Sequence, residues 1–146
     1  MKFLSKNEHG FDVKFKELIE ANGVPYLDLK LERINLQSNA GVYHFFSISG
    51  PRIASLYVGK ASKGNNGSWD LYERLKQHRQ PSQTDTLHGA ISRQFGCTNE
   101  EAISFLTNGK VYLQVVILDE KKYSNELLLA FEKYCISRLS PMYTVM

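Results

Sequence analysis

The segment GVYHFFSISGPRIASLYVG, residues 41–59, constrains the fold more than any other part of the 146-residue chain. Two runs rich in aromatic and β-branched residues flank a Ser-Gly-Pro-Arg turn, and this pattern predicts a β-hairpin. Tyr43 and Tyr57 lie one on each predicted strand. An odd-length loop would make them neighbours on one face of the sheet, whereas a two-residue loop would separate them, and the sequence leaves the choice open.

The other segments alternate predicted helices with strands. Residues 110–118 are apolar and β-branched, which predicts a further strand. In residues 26–36, leucines alternate with charged residues, a period of two that favours a strand over a helix. Helical spacing and cap signals, including Asp70 with Glu73 and Thr98 with Glu101, predict helices over residues 11–22, 71–80, 86–95, 98–108 and 125–140. The order predicts an α+β fold with a small sheet covered by helices.

Composition limits the kinds of protein that this chain can be. Apolar residues make up 42% of it, and no run approaches the roughly 18 to 20 apolar residues of a membrane span. The start of the chain lacks the apolar core of a signal peptide, so we expect a cytoplasmic protein without a membrane partner. Cys97 and Cys135 lack the spacing of a zinc site and predict reduced thiols. The net charge of +3 permits a nucleic-acid partner without requiring one.

The last predicted helix carries a carboxylate inside its apolar stripe. At about 100° per residue, Glu132 falls about 40° from Leu128, on the side that also holds Leu139 and Cys135. Glu126 falls on the polar face, where a solvated charge is the simplest interpretation. Because a buried carboxylate without a partner is costly, Glu132 needs an arginine, a donor network or a cation nearby. An internal salt bridge satisfies that need, and so does a metal or acid-base role.

Arg74 and His78 are candidate partners of Glu132. They lie one turn apart on the same predicted helix, on the side that carries Leu71 and Leu75. A guanidinium donates two hydrogen bonds to a phosphate, and histidine titrates near neutral pH. The pair therefore suits a phosphodiester, although such a pair is also common on a solvated helix face.

Several short motifs of the chain resemble, in order and spacing, those of the GIY-YIG nuclease superfamily. They are GVY at residues 41–43, YVGKA at 57–61, Arg74 and His78 within ERLKQH, and EKYCISRLSPMY at 132–143. The last block is the most specific, because Glu132, Pro141 and Tyr143 keep the family's spacing between its metal-binding glutamate and its Pro-x-Tyr-Asn end. The resemblance covers residues 41–144. Residues 1–40 are then expected to form a helix and strand extension, packed on the same domain as residues 41–146.

The resemblance implies a hydrolytic endonuclease built on a three-stranded antiparallel sheet flanked by helices. It implies that Tyr43 orients or deprotonates the attacking water and that His78 accepts the proton. Tyr57 would position the same region, Arg74 would bind the scissile phosphate, and Glu132 would hold one Mg²⁺ or Mn²⁺ ion per site. No second carboxylate has an evident claim on that position, so a single-metal mechanism is expected.

Nucleic acid is the expected partner, DNA by preference, with RNA left open. Lys60 and Lys63 lie after the second strand and could follow the nucleic-acid backbone, although a solvated basic loop explains them equally well. Gly41 and Gly59 stand where a strand gains nothing from glycine, which predicts a close approach of backbone or substrate. Because each active centre cuts one strand, cleavage of a duplex needs either two protomers or two visits, so a homodimer is possible.

One position departs from the family pattern, because Thr144 stands where the asparagine of Pro-x-Tyr-Asn is expected. A hydroxyl replaces one hydrogen bond of the amide but not its paired donor and acceptor. A second interpretation is therefore a nucleic-acid-binding module of the same fold with weakened turnover, and a third is an RNA nuclease. By analogy, the small size favours a role in restriction or mobile-element conflict over excision repair.

Overall fold

The structure is a computed structural model that describes residues 2–62 and 69–144, with the side chains of residues 10–62 and 69–144. The fold is α+β, as predicted. Among the described residues, no helix combines the length and apolar character that crossing a membrane requires. The elements in chain order are α1 (Lys2–Glu20), β1 (Val24–Pro25), a 3-10 helix (Tyr26–Glu32), α2 (Arg33–Leu36), β2 (Ala40–Ser49), β3 (Arg52–Ala61), α3 (Leu71–Gln77), α4 (Leu87–Phe95), α5 (Asn99–Leu106), β4 (Val111–Leu118) and α6 (Asn125–Leu139).

Four antiparallel strands form the sheet, in the spatial order β1-β4-β2-β3. The prediction of three strands is wrong, because it missed β1, which pairs with Leu113 and Tyr112 at the outer side of β4. A two-residue strand is too short to show a periodic pattern. Pro25 has no N–H to donate, and it is tolerated in β1 because this strand lies at the edge of the sheet.

Residues 26–36 are helical, so the strand predicted there is also wrong. The 3-10 helix at the start of this segment buries Tyr26 and Leu29, which are three positions apart. A 3-10 turn has three residues, and Tyr26 and Leu29 enter the same core even though the helix is kinked at Asp28 between them. Leu27 and Leu31, which produced the alternating pattern, are exposed. Of the three alternating leucines, only Leu29 enters the core, so the alternation did not mark one buried face.

The helix boundaries agree well with the cap signals in the sequence. Asp70 accepts a hydrogen bond from the backbone N–H of Glu73 (2.9 Å) at the start of α3. Thr98 and Glu101 form the predicted capping box of α5. Helix α6 ends two residues before Pro141, as expected. Helix α1 begins well before the first turn that its apolar spacing predicted.

The sheet buries a separate core on each face, because side chains alternate along each strand. The first, here named the tyrosine core, contains Tyr43, Phe45 and Tyr57 and is covered by α3, α4 and α5. The second, here named the valine core, contains Val42 and Val58 and is covered by α1 and α6. Neighbours such as Val42 and Tyr43 in β2, or Tyr57 and Val58 in β3, therefore serve different cores.

The hairpin between β2 and β3 has a two-residue turn formed by Gly50 and Pro51. Gly50 has a φ of +61°, a value that glycine adopts at low cost. The strands pair in register from this turn as far as Phe46 and Ser55. If that register continued, Tyr57 would pair with His44, on the face away from Tyr43.

A β-bulge changes the register beyond that point. Leu56 is an extra residue in β3, so Tyr57 pairs with Phe45 instead of His44. Both Leu56 and Tyr57 then lie in the tyrosine core together with Tyr43. The bulge thus decides the question that the turn length left open, and the two tyrosines share a face.

Candidate active site

His78 lies at the centre of an aromatic cluster in the tyrosine core. It follows the last residue of α3 and is completely buried. Its ring centroid lies 5.4 Å from that of Tyr43 and 5.1 Å from those of Phe45 and Tyr57. The Tyr43 and Tyr57 rings are 6.4 Å apart. Two strands and one helix thus bring together three of the predicted site residues.

The hydrogen bonds of His78 fix which ring nitrogen carries its proton. The backbone N–H of Leu87, the first residue of α4, donates to Nδ1 at 2.9 Å. Nδ1 therefore holds a lone pair, and in the neutral ring the proton lies on Nε2. Nε2 is 2.7 Å from the hydroxyl oxygen of Tyr43, so His78 donates to Tyr43. Burial and, next, the charge of Arg74 hold the pKa of His78 well below its usual value, which keeps the ring neutral.

His88 helps to hold His78 in place through the backbone carbonyl of His78. Its Nδ1 lies 2.8 Å from the backbone carbonyl oxygen of His78 and 2.9 Å from the hydroxyl of Thr86. Because a carbonyl only accepts, Nδ1 of His88 must carry the proton. The Thr86 hydroxyl donates in turn to the carbonyl of Gln83 at 2.7 Å. The loop between α3 and α4 is therefore tied to His78 by side chains and backbone together.

Arg74 is held at the rim of this cluster. Its Nη1 donates to the side-chain oxygen of Gln77 at 2.6 Å, and its Nη2 donates to the backbone oxygen of Asp85 at 3.3 Å. Gln77 is itself buried, so it supplies a fixed anchor. These contacts orient the guanidinium and leave part of it available to an anion.

Both phenols of the cluster are protonated in the free protein. Burial raises the pKa of Tyr43 well above its usual value, and the neighbouring Tyr57 adds to that rise. Burial also raises the pKa of Tyr57. The charge of Arg74 and a hydrogen bond from its guanidinium lower both pKa values in part. Arg74 therefore favours a phenolate at both positions.

Glu132, on α6, lies close enough for its charge to act on Tyr43, Tyr57 and Arg74 of this cluster. It is half-buried, and burial is the main reason that its pKa is raised, while the charges of Lys60, Arg74 and Lys133 lower it in part. Its carboxylate in turn raises the pKa of Tyr43 and Tyr57. By contrast, Glu126 on the same helix is exposed, as the helical phase predicted. No three His, Cys, Asp or Glu side chains within residues 10–62 and 69–144 form a cation-binding group.

The two glycines of the predicted site serve close packing. A Cβ atom on Gly59 would overlap the phenol of Tyr43, so Gly59 provides the space in which that ring lies. A Cβ atom on Gly41 would overlap the carbonyl oxygen of Val116 in β4. The close approach at Gly41 is therefore one between strands, and at Gly59 it is one between strand and side chain.

The structure brings together most of the side chains that the sequence selected. Tyr43, Tyr57, Arg74 and His78 lie in one cluster, and the charge of Glu132 reaches three of them. Lys60 lies within β3 and not in the loop predicted after it, and its charge lowers the pKa of Glu132, whereas Lys63 lies outside the described residues.

Sequence reasoning missed Gln77, Thr86 and His88, and it also missed the backbone N–H of Leu87. Of these, only His88 could have drawn attention in the sequence, as a second histidine ten residues after His78. A backbone donor leaves no signal in a sequence, because every residue except proline carries one.

Comparison with protein-family models, with curated proteins and with solved structures gave no match.

Proposed function

We propose that this protein is a metal-dependent endonuclease that hydrolyses phosphodiester bonds in DNA, of the GIY-YIG type that its motifs resemble. The observation that carries the proposal is the arrangement of Arg74 and two buried phenols around His78, with Glu132 close enough for its charge to act on both phenols and on Arg74. A cation for the phosphate, a carboxylate and a polarised hydroxyl are the groups that such a hydrolysis needs.

Arg74 binds the scissile phosphate in this proposal. Gln77 and the backbone of Asp85 hold two of its nitrogens, so the guanidinium is oriented before substrate arrives. A fixed cation beside the phosphate stabilises the negative charge that develops on its oxygens during attack. Lys60, whose charge acts on Glu132, adds positive charge that would attract the nucleic-acid backbone.

Glu132 is the residue that would hold a divalent cation. A half-buried carboxylate fits Mg²⁺, which takes one or two protein carboxylates and completes its shell with water and substrate phosphate oxygens. When bound, such an ion supplies positive charge to the phosphate. The raised pKa of Glu132 also means that a nearby cation lowers the cost of the charged form.

In the proposal, the hydroxyl of Tyr43, which is fully buried in this structure, is uncovered when the substrate binds and contacts the attacking water, and His78 assists it as a hydrogen-bond donor. The expected role of His78 as acceptor of the Tyr43 proton is revised here, because Leu87 occupies the free lone pair of Nδ1 and Nε2 already carries a proton. A donor at 2.7 Å favours the phenolate form of Tyr43, as does Arg74. Tyr57 completes the wall of the site and fixes the position of His78.

The first experiment is cleavage of supercoiled plasmid at low salt with Mg²⁺ or Mn²⁺, with and without EDTA. We expect metal-dependent nicked or linear product. Glu132→Gln removes the charge at nearly constant shape and should lower the rate by at least about 100-fold, since a catalytic cation contributes several kcal/mol. Glu126→Gln is the matched control, because it makes the same change on an exposed position of the same helix.

Each alternative has its own outcome. DNA binding without cleavage would support the binding module, and cleavage of structured RNA alone would support an RNA nuclease. Equal losses in Glu132→Gln and Glu126→Gln would mean that Glu132 has no special part in the reaction. The ratio of nicked to linear product reports whether one or two strands are cut in each encounter.

A further inference from the structure

The segment that follows α6 contacts β3 at its bulge. The backbone N–H of Met142 donates to the carbonyl of Ser55 at 3.0 Å, and that of Tyr143 donates to the carbonyl of Leu56 at 2.9 Å. Successive carbonyls of a regular strand point to opposite sides. Two successive carbonyls can meet the same neighbouring segment here because the bulge at Leu56 turns both toward the outer edge of the sheet.

The geometry of this segment is fixed at both ends. Ser140 ends α6 in the left-handed region, with a φ of +46°, and its N–H donates to the carbonyl of Ile136 at 2.8 Å. This turn sends the chain back toward the sheet. Tyr143 is buried in the tyrosine core, and its ring lies 6.4 Å from that of Phe95. The two donors are therefore held against β3 by a helix cap on one side and a buried ring on the other.

We propose that the backbone amides of Met142 and Tyr143 position Tyr57 for the reaction by holding the bulge at Leu56. The inference rests on the proposed nuclease function. Tyr57 directly follows the bulged residue, so any change in the bulge moves its ring relative to His78, 5.1 Å away. The two amides satisfy the carbonyls that the bulge exposes at the edge, which favours this geometry over a regular strand.

This inference gives the Pro141-Met142-Tyr143 motif a role that does not depend on Thr144. The motif acts through its backbone and through the buried Tyr143 ring, whereas Thr144 is exposed. The Met142 side chain is also largely exposed, at 58%, so its backbone donor can be tested without disturbing the core. Met142 and Tyr143 are positioning residues here and do not contact the substrate.

Cys135 offers a route to removing a single donor. A synthetic peptide of residues 135–146 can be ligated to an expressed segment of residues 1–134 at this cysteine, with an ester in place of the amide N–H of Met142. The change keeps every side chain. We expect kcat on DNA to fall by about 10- to 100-fold with little change in KM, as for small misplacement in an active centre. The ligated all-amide protein is the matched control.

A second readout reports the position of Tyr57 without relying on activity. With ring-labelled tyrosine, the Tyr57 signals should shift in the ester protein, because the ring currents of His78 and Tyr43 act on it at short range. In the recombinant chain, Met142→Pro should cause the same shift, and Met142→Ala, which keeps the N–H, should not.

The outcomes separate this inference from the proposed function. Unchanged Tyr57 signals and unchanged kcat in the ester protein would overturn the role of the two amides. If the Tyr57 signals shift in the ester protein while the all-amide control has no nuclease activity, the positioning of Tyr57 is supported and the nuclease is rejected. Equal effects of Met142→Pro and Met142→Ala would assign the effect to the side chain and contradict the inference.

Discussion

The buried histidines His44 and His78 lie on opposite faces of the sheet and form different kinds of hydrogen-bond network. His44 follows Tyr43 in β2 and therefore points to the opposite face. Its Nδ1 lies 2.9 Å from the side-chain oxygen of Gln114, and its Nε2 lies 2.8 Å from the hydroxyl of Ser55. Gln114 donates in turn to the carbonyls of Ile19 and Ala21. This network joins strands β2, β3 and β4 to the end of α1. It contains no phenol or other hydroxyl that ionises easily.

The two rings carry their protons on opposite nitrogens. The amide of Gln114 donates to backbone carbonyls, so its oxygen must accept, and Nδ1 of His44 carries the proton. In His78 the proton lies on Nε2 and is directed at the phenol of Tyr43. The His44 network thus ends on backbone carbonyls of α1, whereas the His78 network ends on an ionisable group. A buried histidine indicates chemistry when its network reaches a group that can change its charge.

The largest expected difference between the faces comes from removing one hydroxyl on each. Tyr43→Phe deletes the partner of Nε2 in His78, and Ser55→Ala deletes the partner of Nε2 in His44. Both variants leave a buried histidine short of one hydrogen bond, so each should lower the free energy of unfolding by roughly 1–3 kcal/mol. Only Tyr43→Phe should lower kcat, by roughly 10²- to 10⁴-fold.

Urea unfolding and plasmid cleavage measure the two effects side by side. The comparison is matched because the same chemical group is removed beside the same ring nitrogen. If Ser55→Ala lost as much activity as Tyr43→Phe, the distinction between a structural and a functional histidine would fail. The loss would then follow stability alone.

A smaller effect tests the direction of the hydrogen bond between His78 and Tyr43. His78→Gln keeps an N–H donor but cannot accept a proton at neutral pH. If His78 is a donor, the variant should retain kcat within about tenfold, the cost of an altered hydrogen bond. Its rate should still rise with pH between 7 and 9, because the pKa of Tyr43 lies well above its usual value and more phenolate forms as pH increases.

The pH profile decides between the two roles. A proton acceptor at position 78 would make His78→Gln as inactive as Tyr43→Phe, and the rise with pH would disappear from both. His78→Leu, which neither donates nor accepts, shows the effect of losing the donor. A flat wild-type profile between pH 7 and 9 would count against Tyr43 as the base.

The sequence allowed part of this contrast to be predicted. The phase of α6 separated Glu132 from Glu126, because the helical period is regular and α6 runs without interruption. Cap residues marked the starts of α3 and α5 for a similar reason, since a cap is a local interaction. Local signals of this kind predict helices and individual faces well.

The features that assemble the site are not local. The carbonyls at the Leu56 bulge accept hydrogen bonds from the backbone N–H groups of Met142 and Tyr143, far along the chain. The tautomer of His78 depends on a backbone N–H in α4, and the 3-10 helix depends on which leucines enter the core. Tertiary contacts of this kind override local preference and leave no pattern in one segment.

The smallest expected effect is the response of stability to pH, to which both histidines contribute. Burial lowers the pKa of His44, and it lowers that of His78 further. In the unfolded chain both titrate near pH 6.5. The unfolded state therefore binds more protons as the pH falls below about 6.5, and the free energy of unfolding should decrease by at most about 1.4 kcal/mol per pH unit for each histidine. Above about pH 7.5 both rings are neutral in both states, and this contribution is constant.

Two variants divide that response between the faces. His44→Asn and His78→Gln each remove one titrating ring, so each should remove one part of the decrease measured by urea unfolding between pH 5 and 8. The pKa of Glu132 is raised, so protonation of this carboxylate stabilises the folded state as the pH falls, opposite to the effect of the histidines. The series is therefore measured in the Glu132→Gln background. Because the pKa of His78 is lowered more than that of His44, the decrease that remains in His44→Asn should extend to lower pH than the one that remains in His78→Gln. The reverse order would mean that the His44 network, and not the aromatic cluster around His78, resists protonation more strongly.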